Sequence, residues 1–499
     1  LDNLARREQA LYLEPGLWIA MEQREEYERM LAGEAGAEEP GCHIVRRMLY
    51  YRGGQTEDEI RERYFLTKPF TKKLLEELQS RESIVKDGEV YYHSRLYDRA
   101  RNRMVKSLRL QTVTRPPESY ASLMAGRIEL HAPAEEQLKR AMEQCCDKNL
   151  PVRQWESVIF RRRVKNYSET MLDRLLAQGD YFWKMAPDGN LSFHRYDDID
   201  WGAGLPEAAE ELEGDELLLY RELKRRGASF LKFLTGIPKE DSAQEVLLKL
   251  AAKGLVYADS FVPVRQWQNR EKIRKAPVRQ RVNARVMALS AGRWDIVRPV
   301  REKSREELLL RYFTEAVVLC RETFLKASMG DEFTWREALE ILRVWEYTGR
   351  VRRGYFIEGL SGAQFIRKDD YEAVTALLQK SDEELIWLNA SDPAQIWGKI
   401  LKQPKEREFM ILPGTAVALL GGLPAAVLEK QGKTLRVFGD DAQSRLDIIL
   451  SGLVRDFREK KLFADQKRLI VKDYPKYAGD SLKKAGFIHE MQDYVLYWP

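Results

Sequence analysis

"SETMLDRLLAQGDYFWKMAPDGNLSFH", residues 168–194, is the stretch whose reading decides the fold. Apolar residues recur first at helical spacing. Gly179 then breaks the pattern, where a left-handed helix C-cap suits glycine. Apolar and polar residues alternate afterwards, and Asp188-Gly189 gives the signal of a tight β-hairpin.

Three further segments share this grammar: "TKKLLEELQSRESIVKDGEVYYH" (71–93), "AQEVLLKLAAKGLVYADSFVPV" (243–264) and "TWREALEILRVWEYTGRVRRGYF" (334–356). In the segment 243–264 Leu247 and Leu250 mark one helical face and Val246 the other. Gly254 and Gly349 fill the C-cap place, and "KDGE" repeats the hairpin signal. Shorter helices precede these units. "TEDEIRERYFL" (56–66) opens with a threonine cap and an acidic first turn. Helix, helix, longer helix and hairpin is the winged-helix arrangement, whose later helix can enter a nucleic-acid groove. The breaks fall at unequal intervals, so these are related modules and not a solenoid of fixed period. Such modules also serve as packing or protein–protein units, and both uses stay open at this point.

After residue 382 the texture changes. "ELIWLNASDP", "REFMILPGTAVALLGGLPAAVLEKQGKTLRVF" and "KRLIVKDY" read as strands separated by Gly/Pro turns, with a helix over 446–462. The expected fold class is therefore α+β: tandem winged-helix domains followed by a small β-barrel or β-rich domain with helices. The expected division is 1–110 (N-terminal strand/helix and first winged helix), 111–205 (second), 206–270 (third), 271–302 (basic linker), 303–380 (fourth) and 381–499 (barrel-like domain).

Bulk composition narrows the class further. The 499 residues are 44% hydrophobic and 10% aromatic, enough to bury several cores. Net charge is only +5, so local clusters matter more than the total. Cys42, Cys145, Cys146 and Cys320 show no zinc-binding spacing, which predicts four reduced thiols and a cytosolic protein. No apolar run reaches membrane-spanning length and no signal peptide is visible. The chain starts at Leu1 and not at Met, which predicts a piece of something longer.

Charge concentrates in three places. Between Arg265 and Arg301 there are eleven Lys/Arg and two acidic residues, Glu271 and Asp295. "RRRVK" (161–165) and "RARNRMVKSLR" (99–109) are the others. Phosphate contacts supply most sequence-independent affinity. The nucleic-acid-binding candidates are Arg161, Arg162, Arg163, Lys165, Arg274, Lys275, Arg279, Arg281 and Arg285, with Arg350, Arg352 and Arg353 from the fourth hairpin. Trp267, Tyr167, Tyr355 and Phe356 lie beside basic residues and are candidates for stacking on bases. The competing reading sets the basic residues against acidic neighbours such as "EAAEELEGDE" (207–216). In "GRVRRGYFIEGLSGAQF" (349–365), Gly359 and Gly362 are expected to turn the chain so that Gln364 and Phe365 return beside the arginines. Strand alternation puts Arg352 and Arg353 on opposite faces. Gln364 and Phe365 count among the contact candidates, and a purely structural hairpin is the alternative.

Catalytic constellations are poor. The five histidines His43, His93, His131, His194 and His489 show no motif spacing and no obvious partner. There is no GxSxG, no clustered carboxylates of metal-site type and no phosphate loop, since "LLGGLP" lacks the following Gly-Lys-Ser/Thr. No metal site and no cofactor are expected in this chain.

Read in order, "YLEPGLWIAMEQ" (12–23), "QTEDEIRERYFL" (55–66), "LPVRQWESVIFRRRVKNYSETMLDRLLAQGDYFW" (150–183), "RGASFLKFLTGIP" (226–238), "GLVYADSFVPVR" (254–265), "GRWDIV" (292–297), "GRVRRGYFIEGLSGAQF" (349–365), "DPAQIWG" (392–398) and "GTAVALLGGLPAAVLEKQGKTLRVF" (414–438) resemble the C-terminal half of the large helicase-related family of superfamily 2 helicases. The resemblance covers nearly the whole chain, although its motifs are structural and not catalytic. It departs after "IWG", where a basic "KILKQPKER" stands in place of a Pro-rich segment. The resemblance implies an accessory C-terminal region of an ATP-dependent DNA-repair helicase, with tandem winged helices and a β-barrel similar to those of some DNA glycosylases. ATP and magnesium would then belong to motor domains elsewhere in the parent protein. The implied partners are DNA, single-stranded, duplex or as RNA–DNA hybrid, and those motor domains. The implied place is the bacterial cytosol or nucleoid, away from membranes. Two alternatives stand beside it: a base-excision glycosylase, for which Asp493 and Glu490 are the only carboxylates singled out, and an oligomerisation scaffold forming homo-oligomers.

Overall fold

Three short sequence signals recur in the computed structural model, which describes residues 9–32, 36–128, 131–206, 212–329, 332–380 and 384–498. The chain divides into two compact units: Leu1–Thr112 with Arg343–Arg350, and Val113–Leu342 with Val351–Pro499.

In the first unit, a hairpin of Ala10–Leu13 and Leu17–Ala20 precedes a winged helix. The winged helix runs through helix Glu38–Arg52, strand Gln55–Thr56, helices Glu57–Tyr64 and Lys68–Ser80, and strands Ile84–Asp87 and Val90–His93. Thr56 caps its helix with a full capping box: its hydroxyl accepts from the Glu59 amide while Glu59 accepts from the Thr56 amide. No glycine ends the helix Lys68–Ser80, and Glu82 takes the left-handed turn in its place at φ 53°.

Three more modules of the same order follow along the chain. The first is helix Ala134–Cys145, strand Leu150–Pro151, a helical run over 152–163, helix Glu169–Ala177 and strands Tyr181–Met185 and Asn190–Arg195. The next is helix Gly214–Arg226, strand Ser229–Phe230, helix Ala243–Ala252, and strands Val256–Ala258 and Arg293–Ile296. The last is helix Arg305–Ala316, helix Arg321–Ala327, helix Trp335–Thr348 and strands Val351–Gly354 and Gln364–Arg367. Gly179, Gly254 and Gly349 take φ of 85°, 74° and 80°, the left-handed turn expected of each. In every module the short early strand pairs with the last strand, which therefore lies at the centre. The registers are Gln55↔Tyr91, Leu150↔Leu191, Ser229↔Trp294 and the single bridge Leu319↔Phe365. Tyr91, Leu191, Trp294 and Phe365 are all buried.

The third wing corrects the sequence reading in two ways. Its second strand is Arg293–Ile296, and the residues before it are not a linker between modules. Helices Val262–Gln268, Arg270–Lys275 and Val278–Ser290 are an excursion inside the hairpin. Val246 was expected on a different face from Leu247 and Leu250, yet all three are fully buried, because Val246 and Leu250, four residues apart, share one face and Leu247 adjoins it. Each such side chain contributes about 1.5–3 kcal/mol.

Beyond residue 384, strands Leu385–Asn389, Ala416–Leu420, Leu423–Glu429 and Thr434–Val437 form an antiparallel meander. Helix Ala442–Arg458 packs on it, with the Trp387 indole donating to the Ile449 carbonyl at 3.0 Å. Arg468–Val471, Asp493–Tyr497 and Ile488–Glu490 form a separate three-stranded sheet. Among the described residues no barrel closes, which corrects that expectation. The meander ends on Leu385–Asn389 at one side and Thr434–Val437 at the other, and these two strands do not pair. Backbone bonds from Leu435 to Asp473 and from Lys472 to Lys433 cover the latter instead. All four cysteines are free thiols. Among the described residues no helix is long and apolar enough to cross a membrane.

Candidate nucleic-acid interface

An exposed basic surface lies on the excursion from the third wing. Arg270, Lys272, Arg274, Lys275, Arg279, Arg281 and Arg285 are all exposed. Arg274 reaches Glu271 at 3.1 Å in an exposed pair, which is worth little in water. Val278, Val282 and Val286, four residues apart, are also exposed on helix Val278–Ser290. The other cations of this stretch serve the fold. Arg265 joins Glu156 at 2.9 Å and Asp173 at 2.7 Å, Arg293 joins Asp259, and Arg301 joins Glu307. Of the competing acidic stretch 207–216, residues 207–211 lie outside the described residues. Asp215 instead accepts the backbone amides of Lys239, Glu240 and Asp241, and Glu216 pairs with Lys253.

"RRRVK" is placed differently from the expectation. Residues 155–160 form a π-helical turn, which adds a residue to the turn and shifts the helical frame. Arg162 and Arg163 are buried as a result. Arg162 Nε donates to the Trp387 carbonyl at 2.9 Å. Arg163 grips Asp392 with two bonds, of 2.8 and 2.7 Å. These two guanidiniums are turned into the protein, and their assignment to phosphate contact is corrected. Arg161 is half-buried over the Tyr167 ring, whereas Lys165 is exposed.

In the fourth wing each arginine lies over a ring: Arg350 over Trp345 at 4.1 Å, Arg352 over Tyr371 at 4.4 Å and Arg353 over Phe365 at 6.0 Å. A guanidinium stacked in this way keeps its in-plane donors directed sideways. Tyr355 is exposed, but Phe356, Gln364 and Phe365 are buried, so these three are not contact residues. Gln364 Oε1 accepts from the amides of Phe356 and Ile357, and its Nε2 donates to the Ile357 carbonyl, each at 2.8 Å. The glycine-rich loop is thus wound around one buried amide. In the first unit, helix Ser94–Leu110 buries no residue. Arg101 donates to the Tyr347 carbonyl and Arg109 pairs with Glu346, leaving Arg99, Arg103 and Lys106 on its exposed faces.

A cleft of about 680 Å³ opens in the second unit, lined by nine Lys/Arg and four Asp/Glu residues. Within it Asp147, itself left-handed at φ 64°, accepts from His194 at 2.8 Å and pairs with Lys303 at 2.7 Å. Burial would raise the Asp147 carboxyl, but the bonds from His194 and Lys303 outweigh it and hold it well below the usual range. His194 Nε2 meets Ser192 Oγ at 2.8 Å. These partners, 47 residues apart, were invisible to spacing rules. Ser192 does not line the cleft, so the Ser–His–Asp order is not that of an open nucleophile. Lys399 also lines the cleft. Burial, aided by Lys326 and Lys148, pushes its amine down to about 7 against the pull of Asp392. Asp493 pairs with Lys472, and Glu490 accepts from the Tyr497 hydroxyl. Neither lines this cleft. Among the described residues no group of three His, Cys, Asp or Glu side chains could hold a metal ion.

The profile of the winged-helix domain of the large helicase-related protein matches residues 116–195 and 300–386. These two stretches are similar to winged-helix domains of the large helicase-related family. One relative, described as "Lhr helicase/ probable uracil glycosylase" from Mycolicibacterium smegmatis, is 28% identical over 72% of this chain and 26% of its own length. Another, described as "Lhr helicase/uracil glycosylase" from Escherichia coli, is 26% identical over 74% of this chain and 26% of its own length. The matched part is the C-terminal region of these large helicase-related proteins, so the match spans about a quarter of each.

Proposed function

We propose that this chain is a nucleic-acid-binding accessory region of a DNA-repair helicase of the large helicase-related type, working in the bacterial cytosol beside motor domains that bind ATP and magnesium. The observation that carries this is the basic excursion of the third wing. Seven cations between Arg270 and Arg285 stand exposed, with Glu271 the sole carboxylate in that stretch. Such a surface attracts a polyanion and releases its condensed counterions on contact. Arg161, Lys165, Arg350, Arg352 and Arg353 remain separate candidates, with lesser exposure at Arg161, Arg352 and Arg353. The test replaces Arg274, Lys275, Arg279 and Arg281 with Gln and titrates fluorescent DNA, single-stranded and duplex, at several salt concentrations. Affinity falls for any sequence, and the slope of log affinity against log salt becomes shallower by roughly two to four units. An unchanged slope refutes this role for the excursion.

A second reading, base excision, is favoured by the concave cleft together with the descriptions of both relatives as uracil glycosylases. Excision requires a pocket for an extruded nucleotide. Release of uracil from a uracil-containing oligonucleotide by the purified chain tests it directly.

A further inference from the structure

Lys399 is an unusual lysine for a protein interior. Its ammonium donates to the Asp392 backbone carbonyl at 2.7 Å. The Asp392 carboxylate beside it is already held by both terminal nitrogens of Arg163. Among the described residues, no carboxylate lies within ion-pair reach of Lys399. The charged groups that face it are Asp392, whose attraction raises its proton affinity, and Lys326 and Lys148, which lower it. Burial adds to the lowering, so the amine titrates near 7. Near neutral pH a substantial share is therefore uncharged and nucleophilic. Its position on the wall of a 680 Å³ cleft gives the lone pair somewhere to act. The same cleft presents Arg127, whose guanidinium donates to the Glu315 and Thr314 carbonyls and to the Met124 sulfur at 3.9 Å, and Lys326. An electrophile with anionic flanks fits this arrangement: a carbonyl between phosphates.

We propose that Lys399 is an amine nucleophile for the ring-opened aldehyde of an abasic site in DNA, with the flanking phosphates held by Arg127 and Lys326. The inference rests on the nucleic-acid reading given above and deepens its excision arm, because base removal leaves this aldehyde. The uncharged Nζ adds to the aldehyde carbon, and the adduct takes up one proton from solvent and loses water to leave a carbon–nitrogen iminium. A proton from the adjacent sugar carbon then passes to water. The electron pair left behind forms a carbon–carbon double bond as the next carbon–oxygen bond breaks, and the 3′ phosphate departs with that oxygen. Hydrolysis of the iminium returns the lysine and an unsaturated aldehyde. No oxidant or reductant is consumed.

The test incubates the full chain with an oligonucleotide carrying one abasic site, adds sodium borohydride to reduce any iminium to a permanent amine bond, and separates the products under denaturing conditions. A covalent protein–DNA adduct is expected from the native chain. It is lost in Lys399→Met and also in Lys399→Arg, which keeps the charge but forms no iminium. Thermal unfolding of both variants verifies that they are folded. The trapping rate should rise with pH through about 7, and Lys326→Ala should move that rise to higher pH by removing a like charge. An adduct that survives in folded Lys399 variants overturns the proposal, as does DNA binding by the native chain without any adduct. Failure of the native chain to bind the oligonucleotide overturns the nucleic-acid reading itself.

Discussion

Asp392→Asn, a change of one atom, should cost more than almost any surface substitution in this chain. The Arg163 side chain is 4% exposed and that of Asp392 is 0% exposed, and two charge-assisted bonds join them. Asp392 also accepts from the Ala394 amide at 2.8 Å. Removing one charge leaves the other buried without its counterion, which costs about 3–5 kcal/mol. Arg163 has no alternative: its remaining contact is the Ile159 carbonyl at 3.3 Å, and its Nε is already unpaired. Arg163→Met should cost a similar amount by stranding the carboxylate. The double substitution removes both charges and should recover much of the loss, because no buried charge is then left without its counterion. Urea unfolding followed by tryptophan fluorescence gives the four stabilities of the cycle, with Trp387 and Trp397 as buried reporters nearby in sequence. The pH dependence carries the same signature. Burial would raise the Asp392 carboxyl, yet Arg163 holds it below its ordinary value. A lowered folded value means that the stabilisation is full above the unfolded value, near 4, and is lost as pH falls through the folded one. Single variants that each cost under about 1 kcal/mol and simply add would refute the reasoning, because they would show that the pair is hydrated.

Three further outcomes are expected. Lys399 has a folded value near 7 and an unfolded one near 10.4, so the unfolded chain holds more protons between them and stability should rise with pH across that window; Lys399→Met should abolish the rise, read by urea midpoints at pH 6.5, 8 and 9.5. Gln364→Leu strands the Phe356 and Ile357 amides and should cost about 2–5 kcal/mol, with faster proteolytic nicking between Tyr355 and Ser361; an unchanged cleavage rate would show that the loop does not depend on that amide. The chain alone should neither hydrolyse ATP nor unwind DNA, since no phosphate loop is present in its sequence, and DNA-stimulated phosphate release by the purified chain would contradict this.

The modules were legible because their signals are local. A capping box, a glycine at a left-handed turn and an Asp-Gly hairpin each act within a few residues, and Thr56, Gly179 and Gly189 all do so. The third wing was misread because Val256–Ala258 finds its partner only at Arg293–Ile296, and pairing across such a gap leaves no periodic trace. "RRRVK" was read as a phosphate-contact cluster because sequence spacing assumes a regular helix, and the π-helical turn breaks that assumption. The cleft was illegible for a different reason. Asp147, His194, Lys303 and Lys399 come from four separated stretches, and only tertiary packing brings them to one cavity.

The central position of each last wing strand has a consequence for the order of events at the ribosome. A module whose final strand is central cannot pair either of its outer strands until that strand has emerged. For the first two modules and the fourth, the wait after the preceding strand is short. In the third, thirty-four residues separate Ala258 from Arg293. At about 5–20 residues per second, Val256–Ala258 stays unpaired for roughly two to seven seconds of synthesis, and Ser229–Phe230, further back in the chain, for roughly three to twelve. The basic helices of the excursion are made within that interval, before the sheet that anchors them exists, so this charged surface precedes its own support.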